Sequence, residues 1–288
     1  MHRKLPAAAL VVAAALASGC GAAGRAADPA VGATAPVAAK SGEVVPAGAL
    51  SPHASPTASA SPSPPALPLA GRVIGIDPGH NGGNFSDAGF INQLIWNGRE
   101  SETCDTTGTE TASGFTEASF NFDVATALRA DLLAAGAQVV MTRQSNTGVG
   151  PCVTTRAQIL NHAHADVAID IHADGGPTWG RGFTVLEPVA DGPNNAVISS
   201  SLQFAADVRA AMLRGTPMPE SNYYGTNGLI TRDDLAGLNL TTVPKVLVEC
   251  GNMPNATDAG LLASPAFERQ LARAFTAAIM VFLTGHPG

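Results

Sequence analysis

The sequence predicts an α/β fold, a single domain with a mainly parallel twisted sheet and helices on both faces, and three observations predict it. Short β-branched apolar runs at Arg72–Ile76, Asp166–Ile171 and Lys245–Val248 have the two-sided apolar character of buried parallel strands. Segments with helical spacing alternate with them, as expected when crossover helices cover a parallel sheet. Each run leads into a residue able to do chemistry: His80 after Asp77-Pro78-Gly79, His172 after Ile171, and Glu249 after Val248. In open α/β sheets ligands bind beyond the carboxyl ends of the strands, so these side chains are expected to converge on one crevice.

The elements follow in order. A long polar stretch, Asn81–Thr116, comes after the first strand and is too long for an ordinary connection, which marks it as a functional loop beside the site. Thr116 reads as an N-cap, and Phe120, Val124, Leu128 and Leu132 recur every four residues until Gly136 stops the helix. A strand is expected at Ala137–Thr142, a helix around Thr154–Ala163, the His172 strand, and a strand at Gly182–Glu187. A helix from about Asn195 to Leu213, an irregular stretch, the Glu249 strand and a final helix from about Pro265 to Leu283 complete the domain, placed at residues 71–288.

The preceding residues cannot join that core. Met1-His2-Arg3-Lys4 followed by apolar Leu5–Leu16 has the charge, length and small-residue ending of an export signal, placed at residues 1–20. Leu16-Ala17-Ser18-Gly19-Cys20 resembles a bacterial lipobox, in which Cys20 would carry the lipid; plain secretion after a nearby small residue is the other reading. Residues 21–70 are Ala, Pro, Ser and Gly with four charged residues, a disordered linker. Localisation is therefore expected at the cell envelope, lipid-anchored to the outer face of the membrane or secreted to the wall.

Residues 71–288 hold 12 Lys and Arg against 21 Asp and Glu and no basic cluster, which argues against a nucleic-acid partner. In an exported protein Cys104 and Cys152, in polar surroundings, are the natural disulfide pair, and Cys250 behaves as a small apolar residue.

Two imidazoles and a carboxylate are the ligand set of one class of catalytic zinc, and a further unligated Glu can take a proton from water there. Glu117, in the first turn of its helix, supplies either the third ligand or only a charge that complements the helix dipole. His162 and His164 close a helix, where His commonly satisfies terminal carbonyls. Phe90, Ile91 and Trp96 fit a sugar or peptide groove and fit equally a small core that holds the loop down.

The blocks Asp77-Pro78-Gly79-His80, Thr116-Glu117 to Thr142-Arg143, Arg156 to His172-Ala173, Val243 to Glu249 and Asn252 to Asp258 resemble, in order, the zinc-dependent N-acetylmuramoyl-L-alanine amidases of the amidase_3 type. The resemblance implies hydrolysis of the amide between N-acetylmuramic acid and L-alanine in peptidoglycan or muropeptides; the protein itself is expected to be a monomer. It assigns one Zn2+ to His80, Glu117 and His172, and catalysis to Glu249. Three positions depart from the family pattern: Asn81, Asp170 and Asp174. Asp170 or Asp77 is expected to partner an imidazole N–H, although a carboxylate so placed could also compete as a ligand. The rival functions are a zinc peptidase cutting within the stem peptide and a non-catalytic wall-binding module.

Overall fold

The computed structural model describes residues 67–285. The expected export signal, Cys20 and all but the last four residues of the expected linker lie outside the described residues. No helix among the described residues is long and apolar enough to cross a membrane.

The main sheet has six strands: β1 (Val73–Pro78), β4 (Gln138–Met141), β5 (Val167–Asp174), β6 (Thr184–Pro188), β7 (Leu229–Arg232) and β8 (Lys245–Asn252). They lie in the order β4-β1-β5-β8-β6-β7, and all neighbours are parallel except β6 and β8. The exception follows from chain length. Only residues 175–183 separate β5 from β6, too few for a crossover helix, so the chain passes over the end of β8 and enters β6 running the other way. The edge strand β7 lies in the stretch expected to be irregular. A separate hairpin, β2 (Leu94–Trp96) and β3 (Ser101–Thr103), organises part of the long loop after β1.

The two faces of the sheet are covered unequally. On one face, Ile74, Ile76, Ile169, Ile171, Val246 and Val248 are fully buried beneath α2 (Glu117–Ala134), α4 (Ile198–Gly215) and α7 (Pro265–Thr284). The four-residue spacing of Phe120, Val124, Leu128 and Leu132 puts all four side chains of α2 into that core, each worth about 1.5–3 kcal/mol of burial. Thr116 caps the helix by accepting from the Ser119 N–H, and Gly136, at φ +92°, follows its end.

The opposite face carries Gly75, Asp77, Ala168, Asp170, His172, Lys245, Leu247 and Glu249, which alternate with the core positions and stand side by side in register. Only α3 (Val153–His162) and the short α5 (Ala236–Asn239) pack here. A Cβ on Gly75 would stand 2.6 Å from Leu160, so the glycine is what lets α3 lie against the sheet. The short helices α1 (Ala88–Ile91) and α6 (Ala256–Leu262) complete the fold.

The domain begins earlier than composition placed it. Leu69 is fully buried in the main core and its N–H donates to the Ala135 carbonyl, so the last residues of the expected linker are folded onto the α2 terminus.

Candidate metal centre and catalytic cleft

His80, Glu117 and His172 come together. One donor atom from each lies within 4.8 Å of the others. His80 Nε2 stands 3.3 Å and His172 Nδ1 2.8 Å from Glu117 Oε1. Tetrahedral zinc with bonds of about 2.1 Å separates its ligand atoms by about 3.4 Å, so the donor set fits that ion with small adjustments.

Local backbone produces the convergence. Gly79 precedes His80, and a Cβ there would lie 2.1 Å from the His172 ring; glycine lets the two imidazoles meet edge-on with centroids 4.9 Å apart. His80 itself adopts φ +57°, and its carbonyl accepts from Arg156 at 2.7 Å. Glu117 is the first residue of α2, and its Oε2 accepts from the Thr109 N–H at 3.0 Å.

Charge is held tightly around these groups. Burial opposes the imidazolium of His80, but the Glu117 and Asp105 carboxylates outweigh it and lift its pKa to about 9. His172 is raised well above the usual histidine range, where Asp170 and Glu117 outweigh burial. Burial pushes the Glu117 carboxyl up, and the two histidines more than reverse this and hold it well below the usual range.

Each imidazole has a carboxylate on its far nitrogen. Asp105 Oδ1 lies 3.1 Å from His80 Nδ1, and Asp170 Oδ1 lies 3.3 Å from His172 Nε2, the latter in ion-pair range but not aligned as a hydrogen bond. Asp77 reaches neither ring. It accepts from Lys245 Nζ at 2.7 Å, Arg156 Nη1 at 3.1 Å and Thr142 Oγ1 at 2.6 Å. Lys245 also lies 3.0 Å from Asp170, and Arg156 3.3 Å from Asp105. Asp77 is thus the hub between two buried cations, each of which holds one ring-facing carboxylate. Sequence reasoning missed Asp105, which sits in the polar loop with no periodicity to mark it.

Glu249 stands beside His172 across the β5–β8 pairing. Its Oε2 is buried with no partner, and burial, reinforced by Glu117 and Asp174 against the pull of His172, lifts its pKa to about 8. Asp174 accepts a 2.5 Å hydrogen bond from the Tyr223 hydroxyl. His80, Glu117 and His172 line, with Glu249 and Asp174, one cleft of about 330 Å³, walled also by Leu186, Leu247 and Arg232.

The remaining sequence candidates fall into place. His162 ends α3 and His164 follows at φ +47°; neither belongs to the His80 group. Ile91 is buried and Phe90 packs against Gly150, whereas Trp96 is 60% exposed, so the loop residues divide between a small core and the surface. Asn252 and Asp258 pin the loop between β5 and β6, donating to the Pro177 and Gly180 carbonyls and accepting from the Gly182 N–H respectively. Cys104 and Cys152, the expected disulfide pair, lie beside each other. Both are buried free thiols; burial and a hydrogen bond with Cys152 push the Cys104 thiol up to about 12, and closing the bond requires an oxidant. Cys250 is fully buried beneath the sheet.

Residues 74–281 match the Amidase_3 family, described as N-acetylmuramoyl-L-alanine amidase. The chain is 39% identical over 237 residues to N-acetylmuramoyl-L-alanine amidase Rv3717 of Mycobacterium tuberculosis, covering 82% of this chain and 96% of that protein. Its fold resembles the crystal structure of the amidase Ami1 from Mycobacterium smegmatis with a TM-score of 0.71 and 41% identity, over 75% of this chain and 98% of that one. Ami1 from Mycobacterium abscessus gives a TM-score of 0.70 and 40% identity, over 75% of this chain and 100% of that one. The chain belongs to the Amidase_3 family of N-acetylmuramoyl-L-alanine amidases, which are hydrolytic enzymes.

Proposed function

We propose that this protein is a zinc-dependent peptidoglycan amidase that cleaves the bond between N-acetylmuramic acid and L-alanine, acting at the cell envelope. The observation that carries the reading is one cleft in which three converging donor atoms face a buried carboxylate oxygen with no partner. His80, Glu117 and His172 would hold the ion, which when bound would supply Lewis acidity to the substrate carbonyl and to the attacking water. Glu249 accepts the proton of that water at Oε2 and delivers it to the departing L-alanine nitrogen. Burial raises the Glu249 carboxyl in the metal-free protein, which suits it to carry the proton, and the charge of a bound ion would draw it back toward the ionised form that accepts one. Asp105 and Asp170 orient the two rings, held in turn by Arg156 and Lys245. In the oxidising environment outside the cell Cys104 and Cys152 close a disulfide that fastens the long loop to the start of α3. Cys20, outside the described residues, is the proposed lipid attachment point.

The test is digestion of purified peptidoglycan by chelator-treated protein and by the same protein reloaded with one equivalent of zinc. The expected result is release of stem peptides with a new N-terminal L-alanine only after reloading, detected by mass. A new amine on any other residue, or equal activity without metal, contradicts the reading.

A further inference from the structure

Arg232 ends the edge strand β7 and is the one Lys or Arg among the described residues that line the cleft, whose other charged lining residues include Glu117, Asp174 and Glu249. Its guanidinium is fixed. Nε and Nη2 each donate to an Asp234 carboxylate oxygen at 2.6 Å, and Nη1 donates to the Tyr224 hydroxyl. A guanidinium has five N–H groups, so this count leaves one on each terminal nitrogen free to donate to a further acceptor such as a carboxylate. A cation that needed only neutralising would be satisfied by Asp234; bracing it against Tyr224 as well restricts its rotation and pre-organises the remaining donors. The cleft thus has one basic wall, set off from the ligand group by the apolar Leu186, Leu235 and Leu247.

We infer that Arg232 selects substrates by binding a free carboxylate on the peptide side, at the residue that follows L-alanine. The inference rests on the amidase reading and adds the chemistry that the cleft prefers. Arg232 touches no reacting atom, so it acts on substrate binding more than on the chemical step.

The test compares N-acetylmuramoyl-L-alanyl-D-glutamate, with both carboxylates free, against its diamide, using zinc-loaded protein. The wild-type protein is expected to favour the diacid in kcat/KM by about tenfold or more, mainly through KM, the scale of a charge-assisted hydrogen-bonded pair. Arg232→Gln is expected to bring the ratio to within about twofold of unity, and Arg232→Lys, which keeps the charge and loses the fork, to a value between the two. Calorimetric titration of both compounds into zinc-loaded Glu249→Gln protein, with and without Arg232→Lys, reads the same preference without turnover and stands if Arg232→Gln fails to fold. A ratio unchanged by either substitution, or no preference in the wild-type protein, overturns the inference. If neither compound is cleaved but the diacid still binds better through Arg232, the amidase reading fails and the carboxylate site remains.

Discussion

His80 and Glu117 form an ion pair within the group that could hold a metal ion. In the metal-free protein His80 titrates at about 9 against an ordinary 6.5, because Glu117 and Asp105 outweigh burial. A raised imidazole pKa means that this pair stabilises the metal-free fold fully below about pH 6.5 and loses that contribution as pH rises through about 9. Zinc requires the neutral rings, so its binding must displace protons. Apparent zinc affinity is therefore expected to rise by about tenfold per pH unit for each proton displaced, up to about pH 9. Calorimetry in buffers of different ionisation enthalpy measures the proton release directly; no release at pH 7 would mean that the imidazoles are already neutral and the electrostatic picture is wrong.

At the scale of elements, the sheet face opposite the main helices is a polar device built on period two. Lys245, Leu247 and Glu249 alternate along β8 as Asp170, His172 and Asp174 do along β5. The sequence shows this alternation, and β1, β5, β8, α2 and α7 were legible from apolar periodicity and turn chemistry, as was the placing of His80, His172 and Glu249 at strand ends; Glu117 stood out only through the family resemblance. What it could not show was that the site lies over one face of the sheet as well as at the strand ends, because register is a tertiary property. The same gap hid the reversal of β6 and the edge strand β7, whose four residues alternate too briefly to stand out. Of the two carboxylates expected to partner an imidazole, Asp77 instead faces Lys245 and Arg156. Lys245→Met should leave the Asp77 and Asp170 charges buried with fewer partners and cost about 3–5 kcal/mol. Denaturant unfolding at pH 7 measures this, and a loss under about 1 kcal/mol would show that the buried chain of charges is dispensable to stability.

For the molecule as a whole, the catalytic domain is closed by a segment that composition alone assigns to the linker. Leu69 fills a fully buried position, and Gly136 leaves room for Leu67, to which a Cβ there would come within 2.7 Å. Truncation to begin at residue 67 is expected to leave thermal stability and zinc content intact, because the packed segment is kept. Leu69→Ala in that shortened protein should lower stability by about 2–5 kcal/mol, the range for a core leucine. Equal melting temperatures for the two proteins would place the domain boundary after Leu69.

In the proposed mechanism Glu249 moves the proton while His80, Glu117 and His172 hold the ion. Glu249→Gln keeps the shape of the side chain and removes its basicity, so one preparation can be read two ways. Elemental analysis should find one zinc per chain, as in the wild-type protein, while release of L-alanine-terminated stem peptides from peptidoglycan falls by about 100-fold or more. Near-normal release with zinc still bound would contradict it and transfer the role to Asp174, the other carboxylate on the cleft wall beside His172.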